Sequence, residues 1–427
     1  MVLFIIIIFL FGYLAIATEH SIKINKAATA LLTGVLCWTV YILFAPDKDV
    51  VSEELTAHLG ELSGILFFLL GAMTIVELVD AHDGFEIITS RITTTNKRKL
   101  LWIIAFITFF LSAILDNLTT TIVIVSLLRK LIRDDKDRLL FAGIVVIAAN
   151  AGGAWSPIGD VTTTMLWIGG QITAFNIIAK LIIPSLICII IPLIFLTFKM
   201  KGTIETPVRG ASFNKSGLTS TQKSIVFFSG ISILILVPVF KTVTHLPPYM
   251  GILIGLGILW VITEVIHGRK EEEDKHIYSV VHALRKIDSP SILFFLGILL
   301  SIAALQSLGV LTQLSSWMTV NLRNENIIVM AIGLLSSIVD NVPLVAASQG
   351  MYTLSQYPVD HYFWEFLAYC TGTGGSVLII GSAAGIAAMG IEKIKFFWYL
   401  RNISLLALAG YFAGALAYIL QHQVFGL

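Results

Sequence analysis

The sequence predicts an all-α protein that crosses a membrane many times, and three observations predict it. Of the 427 residues, 56% are hydrophobic and only 13% are charged, whereas a soluble domain carries about 25% charged residues. The charged residues form short clusters between apolar stretches long enough for transmembrane helices, which need about 20 residues. The same motifs also occur once in each half of the chain. We therefore expect two inverted repeats, each with about five transmembrane helices, a re-entrant hairpin and one discontinuous helix.

The apolar segments and the loop charges predict the topology. The acidic loop near residues 47–54 is expected outside, and the basic loops near 91–99, 199–223 and 269–286 on the cytoplasmic side, because cytoplasmic loops are enriched in Lys and Arg. Both termini are then outside, in a membrane of the bacterial inner (plasma) membrane type. The apolar segments lie near residues 2–18, 27–45, 62–80, 100–130, 139–171, 175–198, 223–240, 249–266, 290–309, 327–356, 361–390 and 396–420.

The segment 100–130 contains the acid-amide pair Asp116-Asn117 between two apolar arms, and basic residues flank it on both sides. At about 1.5 Å per residue, neither arm reaches across a hydrocarbon core of about 30 Å. This pattern predicts a re-entrant hairpin with Asp116-Asn117 at its tip; two short, tilted helices are the alternative. An ionisable residue inside a membrane segment is a functional-site hypothesis by default.

The segment 139–171 is too long for one helix and contains Gly152, Gly153, Pro157 and Gly159. These residues favour a break, so we expect two half-helices joined by an unwound piece near the middle of the membrane. Backbone of this kind is tolerated there only where it lines a cavity or is buried in protein.

The second half of the chain repeats this order. The pair Asp340-Asn341 stands within 327–356, and a Gly-rich stretch stands within 361–390. Counting helices from an external N-terminus gives the two copies opposite orientations, so the second hairpin should open to the outside. The predicted units are a first repeat over 1–205 (hairpin 100–130, broken helix 139–171), a cytoplasmic linker over 206–222 and a second repeat over 223–427 (hairpin 327–356, broken helix 361–390).

Two hairpin tips entering from opposite faces would meet the two unwound segments near the bilayer centre. Their side chains are carboxylates, amides and hydroxyls, which suit a hard cation, and no Lys or Arg occurs in these stretches. Because either a proton or a small cation can neutralise a carboxylate, the two ions compete for one site. The predicted cation and proton ligands are Asp116, Asn117, Asp340, Asn341, Asp160, Asn150, Thr162, Thr163, Ser156, Thr373, Ser376 and Ser382, with Na⁺ at Asp116, Asn117, Asp340 and Asn341.

A further set of residues is predicted to support this site. Its hydroxyls have an alternative role, a hydrogen bond to a carbonyl within a helix, and its two acids could equally be solvated at helix ends. Asp160 itself could cap the second half-helix, a role compatible with ion binding. The supporting set is Ser112, Thr119, Thr120, Ser336, Glu61 and Asp288.

At these residues the chain resembles the NhaD-type Na⁺/H⁺ antiporters of the ion transporter superfamily, which includes arsenite pumps, citrate carriers and divalent-anion/Na⁺ symporters. The resemblance covers nearly the whole chain and rests on residues 112–120, 150–163, 340–343 and 372–385. Symporter relatives carry a Ser-Asn-Thr type sequence at the hairpin tips, and here Asp replaces that Ser, which favours cation/proton exchange. The resemblance implies an elevator-like mechanism, in which hairpins and broken helices move against a scaffold, usually in a homodimer.

The sequence therefore predicts a secondary active transporter that exchanges Na⁺, and also Li⁺, for H⁺ by alternating access and serves sodium and pH homeostasis. The alternative is an anion, metalloid or carboxylate transporter of the same superfamily. An enzyme is not expected, because the chain contains no H-E-x-x-H, nucleophile elbow or P-loop. We expect a lipid bilayer around the protein, no nucleic-acid partner, and no cofactor apart from the transported ions.

Overall fold

A computed structural model describes residues 1–89, 92, 94–204, 218–268, 277–322, 324–338 and 340–425. These residues are almost entirely helical and contain no strand, only an isolated bridge between Asn96 and Thr203. Nine of the described helices are long and apolar enough to cross a membrane. The prediction of an all-α polytopic membrane protein is confirmed. Most of the predicted linker over 206–222 lies outside the described residues.

The described helices are numbered in chain order. They are α1 Val2–Ala17, α2 Glu19–Ile22, α3 Lys26–Phe44, α4 Lys48–Ala81, α5 Glu86–Thr89, α6 Lys97–Leu115, α7 Asn117–Leu131, α8 Asp135–Ala154, α9 Val161–Ile168, α10 Ala174–Lys199, α11 Ser220–Thr244, α12 Pro248–His267, α13 Val280–Lys286, α14 Ser289–Ser307, α15 Val310–Leu322, α16 Glu325–Leu335, α17 Asn341–Met351, α18 Tyr362–Gly374, α19 Ala383–Glu392, α20 Phe396–Tyr399 and α21 Leu405–Phe425, with a π-helical turn over Leu400–Ser404 between the last two.

Helices α6 and α7 form a hairpin that reverses at Asp116, whose φ of 105° is unusual for a residue other than glycine. The Lys97 ammonium, at the start of α6, lies 2.6 Å from the Asp137 carboxylate, at the start of α8. Because α7 ends at Leu131, just before α8, both ends of the hairpin lie at the same end of the bundle. The first arm is longer than predicted, since α6 has 19 residues and could cross a membrane by itself. The reversal at Asp116, not the arm length, makes the hairpin.

Helices α16 and α17 form a second hairpin, which opens at the other end of the bundle. The Tyr362 hydroxyl at the start of α18 donates to Asn326 at the start of α16 (2.7 Å). Asp360, just before α18, accepts from the backbone N–H of Thr173 at the start of α10 (2.6 Å). The opposite end of α10 reaches the first hairpin, where Arg98 donates to the Met200 carbonyl (3.0 Å). The two hairpins therefore open towards opposite ends.

Two helical spans are interrupted, between α8 and α9 and between α18 and α19. The first break covers residues 155–160 and the second 375–382. The first begins later than the glycines indicated, because Gly152 and Gly153 remain helical. Gly152 instead allows a close approach: a Cβ there would overlap the Phe109 carbonyl of α6. Gly374 of α18 lies in the same way against the Gly333 carbonyl of α16.

Replacing Gly152 with alanine should destabilise the protein. Alanine favours a helix interior over glycine by about 1 kcal/mol, but the added methyl group would force α6 and α8 apart, at a cost of about 1–3 kcal/mol. We expect a lower melting temperature for purified Gly152→Ala in detergent. Gly257→Ala is the matched control, because Gly257 is also helical and has no atom near its missing Cβ. Equal melting temperatures for the two variants would contradict this packing argument.

Two further expectations about the helices are wrong. Helix α4 begins at Lys48, capped by Asp47, so most of the predicted external acidic loop is the first part of a 34-residue helix. The predicted span began at 62 because charged residues end a hydropathy segment, although a helix can continue into water beyond the membrane. Helix α15, over 310–322, was not expected, since its polar residues interrupt the apolar pattern.

Candidate functional site

Four of the predicted site residues begin helices inside the bundle. Asp116 caps α7, Asp160 caps α9, Asp340 caps α17 and Ser382 caps α19, each by accepting a hydrogen bond from a backbone N–H of that helix. The first N–H groups of a helix have no partner within the helix and carry partial positive charge. A carboxylate at this position is stabilised, so three acids can be accommodated in an apolar bundle.

Asp160 lies at the centre of the site and is 1% exposed. Its Oδ1 accepts from the backbone N–H and the hydroxyl of Thr162 (2.8 and 2.7 Å). The Asn117 amide of the first hairpin donates to Oδ2 (2.5 Å), and the Asn341 amide of the second approaches Oδ1 at 3.4 Å. The tips of both hairpins therefore contact one carboxylate.

Asn150 connects this cluster to the second interrupted helix. Its Oδ1 accepts from Asn117 (3.1 Å), and its Nδ2 donates to the hydroxyls of Ser376 and Ser382 (2.9 Å each). All four of these side chains are at least nine-tenths buried. The structure thus brings polar residues from both hairpins and both interrupted helices into one hydrogen-bonded network.

Asp116 and Asp340 lie beside Asp160 on a shared cavity of about 70 Å³. The Asp116 oxygens accept from the backbone N–H and the hydroxyl of Thr119 (2.7 and 2.9 Å). Asp340 Oδ1 accepts from the Val342 N–H at 3.3 Å. Since a water molecule occupies about 30 Å³ of liquid, the cavity has room for a small ion or two to three waters.

Buried hydroxyls without a partner occur near the carboxylates. The Thr120 and Thr163 hydroxyls, and that of the neighbouring Thr121, have no hydrogen-bond partner among the described residues, and all three side chains are fully buried. Buried polar groups nearly always have a partner, but none of these three threonines lines the cavity beside the carboxylates. Thr373 differs, because its hydroxyl donates to the Tyr369 carbonyl within its own helix (2.6 Å).

Serine hydroxyls hydrogen-bond each hairpin to the adjacent interrupted helix. Ser112 donates to the Ala149 carbonyl (2.6 Å), and Ser336 donates to the Thr371 carbonyl (3.0 Å). Ser156, in the first break, donates to the Ala113 carbonyl (2.5 Å). These three hydroxyls position backbone elements and do not point to the Asp160 carboxylate.

The two remaining predicted acids lie away from the cluster. Glu61 is on α4, its side chain is 80% exposed, and it lies 3.9 Å from His58. Asp288 caps α14 by accepting from the Ser291 N–H (3.2 Å), and only its partner Ser291 lines the cavity. The structure therefore gives both acids the surface or capping position that was the alternative expectation.

Lys26 is the site residue that the sequence analysis missed. Its Nζ donates to Asp340 Oδ2 at 3.2 Å and lies 4.3 Å from the centre of the Phe294 ring. The motif stretches contain no Lys or Arg, but the assembled site does contain an ammonium group. Lys26 stands 314 residues from Asp340, at the start of α3, and no local pattern marks it.

Comparison with known proteins identifies the family. The family model described as citrate transporter matches residues 2–364. The chain is 49% identical to sodium/proton antiporter 1 of Arabidopsis thaliana, over 98% of the chain and 72% of that protein. It is 47% identical to sodium/proton antiporter 2 of the same plant, over 98% and 99%, and 29% identical to the Na⁺/H⁺ antiporter NhaD of Vibrio cholerae, over 98% and 92%.

The chain belongs to the NhaD-type sodium/proton antiporter family. This membership confirms the resemblance that the Asp-Asn pairs and the Gly-rich stretches indicated. It also confirms that the chain is a membrane-embedded transporter and not an enzyme, because the relatives of this chain are named as antiporters and transporters.

Proposed function

We propose that the protein exchanges Na⁺ for H⁺ at one composite site centred on Asp160. The observation that carries this proposal is the convergence of both hairpin tips on the Asp160 carboxylate, through Asn117 at 2.5 Å and Asn341 at 3.4 Å. A carboxylate held in this way can bind a proton or a cation, and either ion removes its negative charge. The names of the plant and bacterial relatives support sodium and protons as the two ions.

The charges at the site favour a cation. Asp116, Asp160 and Asp340 bring three carboxylates to the cavity, and Lys26 brings one ammonium. When all are ionised, the negative charges exceed the positive charge by two. Carboxylate, amide and hydroxyl oxygens are ligands of hard cations, whereas this excess of negative charge would repel an anionic substrate.

The size of the cavity argues against the alternative of a carboxylate or metalloid transporter. Sites for organic small molecules measure about 300–1,000 Å³, whereas this cavity measures about 70 Å³. In this conformation it fits Na⁺ or Li⁺ and does not fit citrate. The citrate transporter description of the family model is consistent with a shared fold and does not identify this chain's substrate.

In the proposed cycle, a cation arriving from one side displaces a proton from the carboxylates, and the site then opens to the other side. Two inverted repeats would allow this alternation. Supporting observations are the two hairpins that open towards opposite ends, and the equivalent contacts of Ser112 with Ala149 and of Ser336 with Thr371. Elevator-like movement of the hairpins and interrupted helices is part of the same proposal.

Other parts of the proposal concern the surroundings of the protein. We expect a homodimer in an inner (plasma) membrane of the bacterial type, with both termini outside. The role in sodium and pH homeostasis follows from the proposed exchange.

The exchange can be measured in inside-out vesicles from cells that lack other sodium/proton antiporters. Addition of NaCl or LiCl to vesicles with a preformed pH gradient should collapse the gradient, as reported by a pH-sensitive dye. Citrate, succinate and arsenite, added as salts of a cation that has no effect alone, should leave the gradient intact. Collapse by the anions and not by Na⁺ would contradict the proposal and favour the alternative.

A further inference from the structure

The ion pair between Lys26 and Asp340 is a part of the site that the proposed exchange does not yet explain. Only 20% of the Lys26 side chain and 15% of the Asp340 side chain are exposed. The ammonium also lies over the face of the Phe294 ring, which attracts cations. A largely buried pair is weakly screened by salt, so the two charges interact strongly.

Lys26 reaches Asp340 from a tightly packed pair of helices. Helix α3 packs along α14 so closely that a Cβ on Gly34 would lie 2.5 Å from the Gly297 carbonyl oxygen, and the Trp38 indole donates to the Leu300 carbonyl (2.9 Å). Asp340 lies at the tip of the second hairpin. The Lys26 ammonium therefore extends from the packed helices α3 and α14 to Asp340, which precedes Asn341.

At Asp340 the ammonium occupies the position that a bound cation would take. Oδ1 of this carboxylate accepts from the Val342 N–H, and Oδ2 accepts from Lys26. An ammonium and Na⁺ carry the same charge and are both held by oxygen atoms. Because two cations on one carboxylate oxygen repel each other, Lys26 and Na⁺ exclude each other there.

We propose that Lys26 is a tethered cation that competes with the transported cation for Asp340. This inference rests on the proposed function and names a residue that sets the Na⁺ affinity of the same site. When Na⁺ binds, the Asp340 carboxylate exchanges one cation for another, and Lys26 keeps its protons. Lys26 therefore holds the Asp340 carboxylate in place and balances its charge when no Na⁺ is bound. The carboxylates bind the transported ion.

Removal of the tethered charge tests this competition. Lys26→Met should lower the Na⁺ concentration for half-maximal exchange by about tenfold, a change equivalent to the loss of one charge-assisted contact. The measurement is made at alkaline pH, so that the Asp340 carboxyl does not bind a proton when the lysine charge is removed. Lys26→Arg retains the charge, so its half-maximal Na⁺ concentration should stay above that of Lys26→Met. Lys23→Met is the matched control, since Lys23 is exposed just before α3, and it should keep the wild-type value.

A measurement on the wild-type protein covers the case in which Lys26→Met does not fold. Displacement from Asp340 frees the Lys26 amine, so its acetylation by acetic anhydride, followed by mass spectrometry, should increase with Na⁺ over the concentration range of exchange. Lys23 should be acetylated equally with and without Na⁺.

The outcomes separate this inference from the proposed function. A wild-type protein without Na⁺-driven exchange would overturn the proposed function itself. Wild-type exchange with an unchanged or higher half-maximal concentration in folded Lys26→Met would overturn only the competition. Acetylation of Lys26 that does not respond to Na⁺ would do the same.

Discussion

Asp160→Asn is expected to abolish Na⁺/H⁺ exchange while leaving a folded protein in the membrane. The substitution preserves the size of the side chain, and asparagine caps a helix about as well as aspartate, so α9 should still form. It removes a carboxylate that both hairpin tips contact. Hydrogen bonds to a charged group contribute about 1.5–3 kcal/mol each, so the loss of this charge should lower cation affinity by about 100-fold or more.

The collapse of a pH gradient in vesicles measures this loss. Asp49→Asn is the control, because Asp49 is an exposed acid near the start of α4 and should exchange at the wild-type rate. Normal Na⁺-driven exchange by Asp160→Asn would mean that Asp160 only caps α9, and that the ion site lies elsewhere.

Asp116→Asn and Asp340→Asn form the second prediction with a large expected effect. Each should raise the Na⁺ concentration for half-maximal exchange by about 10- to 100-fold, because each removes a charge beside the cavity. The effect of Asp340→Asn should be larger, since it leaves the Lys26 ammonium without its counter-charge. An unpaired ammonium in the cavity repels the incoming cation.

Both aspartates also cap helices, so this role needs a separate control. Asp134 caps α8 at the end of the bundle by accepting from the Asp137 N–H, and Asp134→Asn changes a cap without touching the site. We expect its half-maximal Na⁺ concentration to match that of the wild type. If Asp116→Asn has the same half-maximal Na⁺ concentration as Asp134→Asn, the Asp116 carboxylate caps α7 and does not bind Na⁺.

The central residues could be predicted because their presence in apolar sequence is costly. Asp116-Asn117 and Asp340-Asn341 stand among residues that would otherwise form uninterrupted membrane helices, and a buried polar group persists only where it has partners or a function. Asp160 follows a Gly- and Pro-containing stretch that breaks its helix. Each of these signals is local, and each can be read without knowing the packing.

The glycines show where a local signal is ambiguous. Gly152 suggested a break, yet it lies within α8 and allows α6 to approach. The break begins three residues later, at Trp155. Weak helix propensity and close packing both favour glycine, and only the neighbouring helix distinguishes them.

Lys26 shows what the sequence could not reveal. A lysine that begins a membrane helix after a polar loop is ordinary, and its counter-charge lies in the other half of the chain. The motif stretches themselves contain no Lys or Arg. Folding brings α3 beside the second hairpin, and that long-range contact changes the charge balance of the site.

Na⁺-driven proton release by the purified protein tests the central claim most directly. In weakly buffered detergent solution with a pH-sensitive dye, Na⁺ added to the wild-type protein should release protons, with a half-maximal concentration close to that for exchange. Asp160→Asn should release none. Proton release by Asp160→Asn equal to that of the wild type, at the same Na⁺ concentrations, would contradict a cation/proton site centred on Asp160.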